Sequence, residues 1–216
     1  MKLTDWLLDL LYPTRCVFCH RLIEPGERMC AKCLRELPGT PNGAQVQSFP
    51  FVKRCLSPLY YVDDVRASLL RYKFQSAVGY AEVYGDFLAK CIDENEVSCD
   101  SITWVPLSRR RLRRRGYDQA KLLAEGLAAH MGVDCVRLLK KLRDNPPQSG
   151  IDKAEKRRAN VAGRYVVCSP ELVKGRDVLL VDDIVTTGAT LSECARMLKQ
   201  AGAKSVTAVT VARSKK

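Results

Sequence analysis

Thirteen residues near the C-terminal end, Val178-Leu-Leu-Val-Asp182-Asp183-Ile-Val-Thr186-Thr187-Gly188-Ala189-Thr190, restrict the fold of this chain more than any other stretch. Four consecutive apolar residues, Val178 to Val181, read as a strand buried on both faces, the pattern of a parallel sheet. Two carboxylates follow, then a short Thr/Gly loop, then an amphipathic helix from about Thr190. On that helix Leu191, Ala195, Leu198 and Ala201 share a stripe, with Glu193, Arg196 and Lys199 on other faces. A loop entering a helix in this way brings unpaired backbone N–H groups and the positive end of the helix dipole together, which favours an anion. Gly188 lets the backbone approach closely, and the Thr hydroxyls add donors.

The acidic pair narrows the ligand. A P-loop would need Gly-x4-Gly-Lys-Ser/Thr, and this loop has no lysine. Asp182 and Asp183 would repel a polyphosphate held against them. They suit the hydroxyls of a sugar, directly or through Mg²⁺, whose ligands are hard oxygens. A ribose 5-phosphate meets both demands, with hydroxyls on the carboxylates and phosphate on Thr186, Thr187, Gly188, Ala189 and Thr190. The plain alternative is an ordinary strand–turn–helix with an Asp cap. The stretch closely resembles the phosphoribosyl pyrophosphate (PRPP) motif of type I phosphoribosyltransferases.

Cysteine spacing supplies a second constraint. Cys16-x2-Cys19 and Cys30-x2-Cys33 are two knuckles ten residues apart, with Pro25-Gly26 as a turn between them. Four thiolates of this spacing close a tetrahedral Zn²⁺ site with no open position for water, so the expected metal is structural. His20, beside Cys19, reads as a bystander. The other cysteines are scattered and read as small buried hydrophobes. No stretch approaches the ~18 apolar residues of a membrane span, and Asp5 and Asp9 interrupt the apolar N-terminus, which reads as a short amphipathic helix rather than a signal peptide. The expected location is cytoplasmic.

Length and 46% apolar content suit one sizeable core plus a small module. Residues 1–37 read as helix and knuckle, and 38–54, rich in Pro and Gly, as linker or loop. Ser57 to Val62 reads as a strand, Asp64 to Tyr72 and Ala81 to Ile92 as helices. From residue 101 a βα alternation begins: strands at Ile102 to Leu107, Val133 to Leu139, Tyr165 to Cys168, Val178 to Val181 and Ser205 to Ala212, with a helix over Asp118 to His130. The expected units are 1–54 and 55–216, with a core over 101–216. Ligands of such sheets sit at the carboxyl ends of the strands.

The net charge of +12 is uneven: residues 1–100 carry 12 basic and 13 acidic side chains, residues 101–216 carry 24 and 11. The basic half holds the candidate anion site, which suits an anionic ligand, a nucleic acid, or both. Within it, 109–115 holds six arginines in seven residues. Read as a loop at a strand end, it focuses positive field on the site. Gly116 would supply a turn, Tyr117 a stacking surface, and Asp118 or Gln119 a helix start. A solvated basic run is the bland alternative. A second turn-rich basic segment, Arg143 to Asn160, has the length of a functional lid.

Taken together, the knuckle, the Val105-Pro106-Leu107…Arg-Arg-Gly116-Tyr117-Asp118-Gln119 run and the Pro147-Gln148…Arg157-x2-Asn160 run before the PRPP motif are similar to the ComF family, linked in bacteria to natural competence and DNA uptake. The resemblance implies an α/β fold: a type I phosphoribosyltransferase-like parallel sheet flanked by helices, with a small N-terminal zinc-binding module. It places pyrophosphate near Arg113, Arg114, Arg115, Gly116, Tyr117, Asp118 and Gln119, and lid contacts at Gln148, Arg157 and Asn160. It also matches Arg71-Tyr72-Lys73-Phe74 to a Lys-Tyr-like run. Two departures stand out. Many relatives carry a second cysteine pair where this chain has Cys55 alone, so one zinc is expected. Many also have Asn at the position of Asp118, where a carboxylate would lower pyrophosphate affinity or hold an adjacent Arg.

The leading expectation is a PRPP- or nucleotide-binding protein of DNA uptake that contacts single-stranded DNA and competence proteins. One alternative is an active Mg²⁺-dependent phosphoribosyltransferase in which Asp182, Asp183 and Arg115 serve transfer at the anomeric carbon. The other is a PRPP-sensing regulator. No base-recognition element is identifiable from the sequence.

Overall fold

The computed structural model describes residues 13–41, 47–142, 161 and 163–215. The expected N-terminal helix and the lid residues Gln148, Arg157 and Asn160 lie outside them. In chain order the elements are helix α1 (Ala31–Glu36), strands β1 (Gln47–Phe49), β2 (Val52–Leu56) and β3 (Leu59–Tyr60), helices α2 (Asp63–Phe74) and α3 (Tyr80–Glu94), and strand β4 (Ser101–Trp104). Then come helices α4 (Arg109–Arg115) and α5 (Gln119–Met131), strands β5 (Leu139–Lys141), β6 (Tyr165–Val167) and β7 (Asp177–Val185), helix α6 (Ala189–Gln200) and strand β8 (Ser205–Arg213).

The main sheet runs β1-β2-β8-β7-β4, with β3 also paired to β8. Every pairing is parallel except β1 with β2. Side chains alternate across a strand, so the sheet has two dry faces. Leu179 and Val181 pack with Tyr72, Tyr84, Leu88 and Leu127 from α2, α3 and α5, while Val178 and Leu180 pack with Leu191, Ala195 and Leu198 of α6 and Tyr165 of β6. The parallel sheet covered on both faces that the βα alternation implies is present.

Three local expectations are corrected. The stretch 38–54, read as linker, contains β1 and part of β2, because Val52 and Cys55 bury against the sheet. Tyr165–Val167 is not a strand of the parallel sheet. It pairs antiparallel with Leu139–Lys141 in a separate two-stranded ribbon, since three residues beside a long connection find their nearest partner in the segment that precedes it. Of Val133 to Leu139, only Cys135 joins the main sheet, as an isolated bridge to Ile102.

The cleft arises from strand length. β7 pairs with β4 only as far as Val181, opposite Trp104, while its pairing with β8 continues to Val185. The chain leaves β4 through Val105-Pro106-Leu107, and proline, lacking an N–H, cannot extend the ladder. Asp182 and Asp183 therefore lie on an overhang of β7 with one edge open. The expectation that the acids follow the strand is corrected: the strand runs through them.

Candidate functional site

The overhang forms the floor of a pocket of about 200 Å³, lined among others by Lys73, Arg111, Arg115, Asp182, Asp183 and Thr190. Successive strand residues point to opposite faces, so the two carboxylates differ. Asp183 is buried on the α2 side and pairs with Lys73 Nζ at 2.9 Å. Asp182, on the α6 side, accepts a hydrogen bond from the Asp183 backbone N–H at 2.9 Å. Burial, and then the Asp183 charge, push the Asp182 carboxyl up to about 8. One acid is thus paired with a lysine, and its neighbour sits where a proton, a hydroxyl or a cation would relieve it.

Beside them the loop 186–188 enters α6. Gly188 caps that helix in the left-handed region (φ 72°), and no side chain caps it. The first-turn N–H groups have no intrahelical acceptor, and they border a small cavity of about 40 Å³ lined by Asp182 and by Thr186, Thr187, Gly188, Ala189 and Thr190. The Phe49 ring packs directly against Gly188, so a Cβ there would overlap the ring. Gly188→Ala combines that overlap with left-handed strain and is expected to cost about 2–4 kcal/mol. Thermal melts of Gly188→Ala, Phe49→Ala and the double variant test this: part of the loss should return in the double variant if the ring is the obstacle.

The opposite wall is the arginine run, and it is a helix rather than the expected loop. Ser108 caps α4, its Oγ accepting from Arg111 N at 3.2 Å, and Gly116 ends it in the left-handed region (φ 82°). Arginine is a good helix former, and cations in the last turn complement the dipole. Helical spacing turns Arg111 and Arg115, four residues apart, toward the pocket. Arg113 and Arg114, expected at the pyrophosphate position, are exposed and do not line it. Arg115 donates to Gln119 Oε1 at 2.8 Å. Burial works against its charge, and Asp183 offsets this.

After α4, Asp118 and Gln119 line the pocket and also hold the scaffold. Among the described residues no arginine is seen on Asp118: its Oδ2 accepts from Leu107 N at 3.1 Å and its Oδ1 caps α5. Tyr117 is half-buried, and its ring is held in place by the scaffold. Its ring packs against Tyr72 at 5.8 Å and its hydroxyl donates to the Tyr72 carbonyl. Lys73, read only as part of the 71–74 run, and Arg111, read only as part of the arginine run, were not singled out as site residues. The helical spacing of Arg111 and Arg115 was a readable signal, whereas Lys73 arrives by packing of α2. Lys141 of β5 and Tyr165 of β6 also line the pocket.

At the other end of the chain the Sγ atoms of Cys16, Cys19, Cys30 and Cys33 all lie within 4.8 Å of one another. A tetrahedral site with Zn–S of about 2.3 Å puts sulfurs ~3.8 Å apart, and Cys19 to Cys30 measures 3.6 Å. Backbone N–H groups of Cys30 and Cys33 point at Cys16 Sγ and Cys30 Sγ, both at 3.4 Å, as thiolates require. The Cys33 N–H lowers the Cys30 thiol to about 7. The donor set fits Zn²⁺. The Pro25-Gly26 turn is present, with Gly26 at φ 92° and Glu27 N on Glu24 O at 3.1 Å. Phe18 in the first knuckle is fully buried, edge-on to Tyr84 and Phe87 of α3.

A double zinc ribbon family model matches residues 7–46, and a phosphoribosyl transferase domain model matches 114–216. Three curated relatives align over most of the chain. Competence protein F of Haemophilus influenzae is 24% identical, covering 89% of this chain and 93% of its own. Competence protein ComFC of Bacillus subtilis is 29% identical, with 89% and 87% covered. DNA utilization protein YhgH of Escherichia coli O157:H7 is 29% identical, with 88% and 86% covered. Over most of its length the chain is similar to these competence and DNA utilization proteins, as the ComF resemblance implies. Among solved structures, the B. subtilis glutamine PRPP amidotransferase aligns at 23% identity and TM-score 0.44. That alignment covers 65% of this chain and 30% of that one, so the chain spans less than a third of that protein's length.

Against the matched double zinc ribbon model, this chain gathers one four-cysteine cluster among the described residues. Cys55, at the place of the second pair, is buried in β2 with its thiol pushed up to about 12 by burial, which suits a core residue rather than a ligand. No described helix is long and apolar enough to cross a membrane.

Proposed function

We propose that this chain binds PRPP or a related ribose 5-phosphate with Mg²⁺ and acts in DNA uptake, with single-stranded DNA meeting its arginine helix. The observation that carries the reading is the separation of charge within one cleft. Carboxylates form its floor, Arg111 and Arg115 its wall, and an uncapped helix N-terminus its flank. A ligand with a phosphate at one end, hydroxyls in the middle and pyrophosphate at the other matches that order. In this reading Thr186 to Thr190 hold the 5-phosphate, Asp182 and Asp183 the ribose hydroxyls, and Arg111 and Arg115 the pyrophosphate. Mg²⁺ would supply neutralisation of pyrophosphate charge, with carboxylate oxygens as its protein ligands. The names of the relatives, a competence protein and a DNA utilization protein, support the biological setting.

The same wall favours a second reading, transfer at the anomeric carbon. Arginines facing the pyrophosphate position would stabilise a leaving group, and the carboxylates would tolerate an oxocarbenium-like ring. Calorimetric titration with PRPP and Mg²⁺, alone and with single-stranded DNA present, tests the first reading. Saturable binding is expected, weakened about tenfold or more by Arg111→Ala through loss of a charged hydrogen bond. No heat of binding at millimolar PRPP would end the proposal. Release of pyrophosphate in the presence of an acceptor base would promote the second reading over it.

A further inference from the structure

The rim of the pocket carries an aromatic ring that neither the core nor the pocket floor uses. Phe74 is the last residue of α2 and is 57% exposed. Its place is nonetheless fixed by its neighbours. Tyr72 is fully buried and donates its hydroxyl to the Gln119 carbonyl at 3.0 Å, and Lys73 is tied to Asp183. The Arg115 guanidinium covers one face of the Phe74 ring, 4.9 Å from its centroid, and is itself anchored on Gln119. Leu112, one turn earlier on α4, is exposed beside this arginine helix. An exposed phenylalanine alone means little. Here the ring is backed on one face by a cation and lies beside the pocket's arginine wall, with more than half of the residue open to solvent. Flat side chains interleaved with cations are how single strands are held without sequence preference, bases stacking while phosphates meet arginines.

We propose that Phe74 is the stacking platform for a nucleobase whose phosphates are held by the arginine helix α4, the base being one of single-stranded DNA. This rests on the reading of α4 as a DNA contact, and it assigns the stacking role to Phe74, Tyr117 being packed against Tyr72. Guanidinium backing polarises the ring, and the exposed remainder receives the base.

The test compares oligo-dT with an abasic oligonucleotide of equal length by fluorescence anisotropy. The wild-type chain binds oligo-dT more tightly than the abasic strand. Phe74→Ala weakens oligo-dT roughly 5- to 100-fold, leaves the abasic affinity unchanged and so abolishes the preference. Phe74→Trp restores it. The ring is exposed, so the melting temperature of Phe74→Ala matches wild type. A Phe74→Ala protein that keeps the preference for bases overturns the proposal. If dTMP affinity depends on Phe74 while oligo-dT affinity does not, the stacked base belongs to a nucleotide and the DNA assignment falls. PRPP has no base to stack, so Phe74→Ala changes its affinity far less than that of oligo-dT, and only through the Arg115 that rests on the ring. A wild-type chain that fails to bind PRPP yet shows the dT preference refutes the ribose-phosphate reading and leaves the stacking role standing.

Discussion

Cys30→Ala is expected to purify without zinc, to expose the segment 13–37 to proteases, and to weaken the ligand pocket as well. Cys30 is where three roles meet: it is one of the four clustered thiols, its Sγ caps α1 by accepting from Cys33 N, and its own N–H reaches Cys16 Sγ. Metal binding by such a set is folding free energy, about 10–16 kcal/mol in isolated zinc-finger peptides. The loss should travel because the knuckle grips α2. Ser68 Oγ donates to the Val17 carbonyl at 2.6 Å, and Arg71 donates to the carbonyls of Val17 and Phe18. Two residues beyond Arg71, the same helix supplies Lys73 to Asp183. Metal analysis, limited proteolysis and hydrogen exchange of α2 check the chain of effects. One zinc per chain is expected in the wild type. Full zinc retention in Cys30→Ala refutes the four-cysteine site, and unchanged exchange in α2 after metal loss refutes the coupling.

The parts of this design that the sequence displays are the local ones. Strand, acid pair, loop and helix lie within thirteen consecutive residues, so their order alone defines the phosphate corner. The knuckle is equally local, two short spacings and a turn. Where the reading failed, the deciding contact was distant or the local signal was outweighed. The arginine run carries its own helix caps in Ser108 and Gly116, yet its charge density reads as solvated loop. Tyr165 to Val167 has the composition of a core strand, and nothing in three residues says that the partner is Leu139–Lys141 rather than β7. Lys73 and Phe74 reach the pocket only because Tyr72 and Ser68 bury α2 against the knuckle and α5, a packing no periodicity encodes. Asp118 was read both as a helix start and as a pyrophosphate contact; it caps α5 and also lines the pocket, because a cap and a ligand contact call for the same residue type.

The two carboxylates should respond to neutralisation in opposite directions. Asp182 has its pKa raised from 3.8 to about 8 by burial and by Asp183. An acid whose folded value lies above its unfolded one takes up a proton on folding. Its favourable contribution is complete below the unfolded value and declines as pH rises between about 4 and 8. Asp182→Asn keeps the shape and removes the charge, so at pH 8 it should melt higher than wild type. Asp183 differs because Lys73, with 19% of its side chain exposed, depends on it. Asp183→Asn leaves that lysine without a counter-charge and should cost roughly 1–3 kcal/mol, less than a fully buried pair because Lys73 keeps some water. Binding gives the complementary sign. If PRPP hydroxyls or Mg²⁺ require both carboxylates ionised, affinity rises about tenfold per pH unit up to the Asp182 value and then levels. Titrations from pH 6 to 9 should show that slope in the wild type and lose the part due to Asp182 in Asp182→Asn, which also binds more weakly while melting higher. A more stable protein with a poorer site is the pattern of a residue kept for binding rather than for folding. An Asp182→Asn protein that melts lower and binds PRPP as well as wild type would show instead that the acid pair is scaffold.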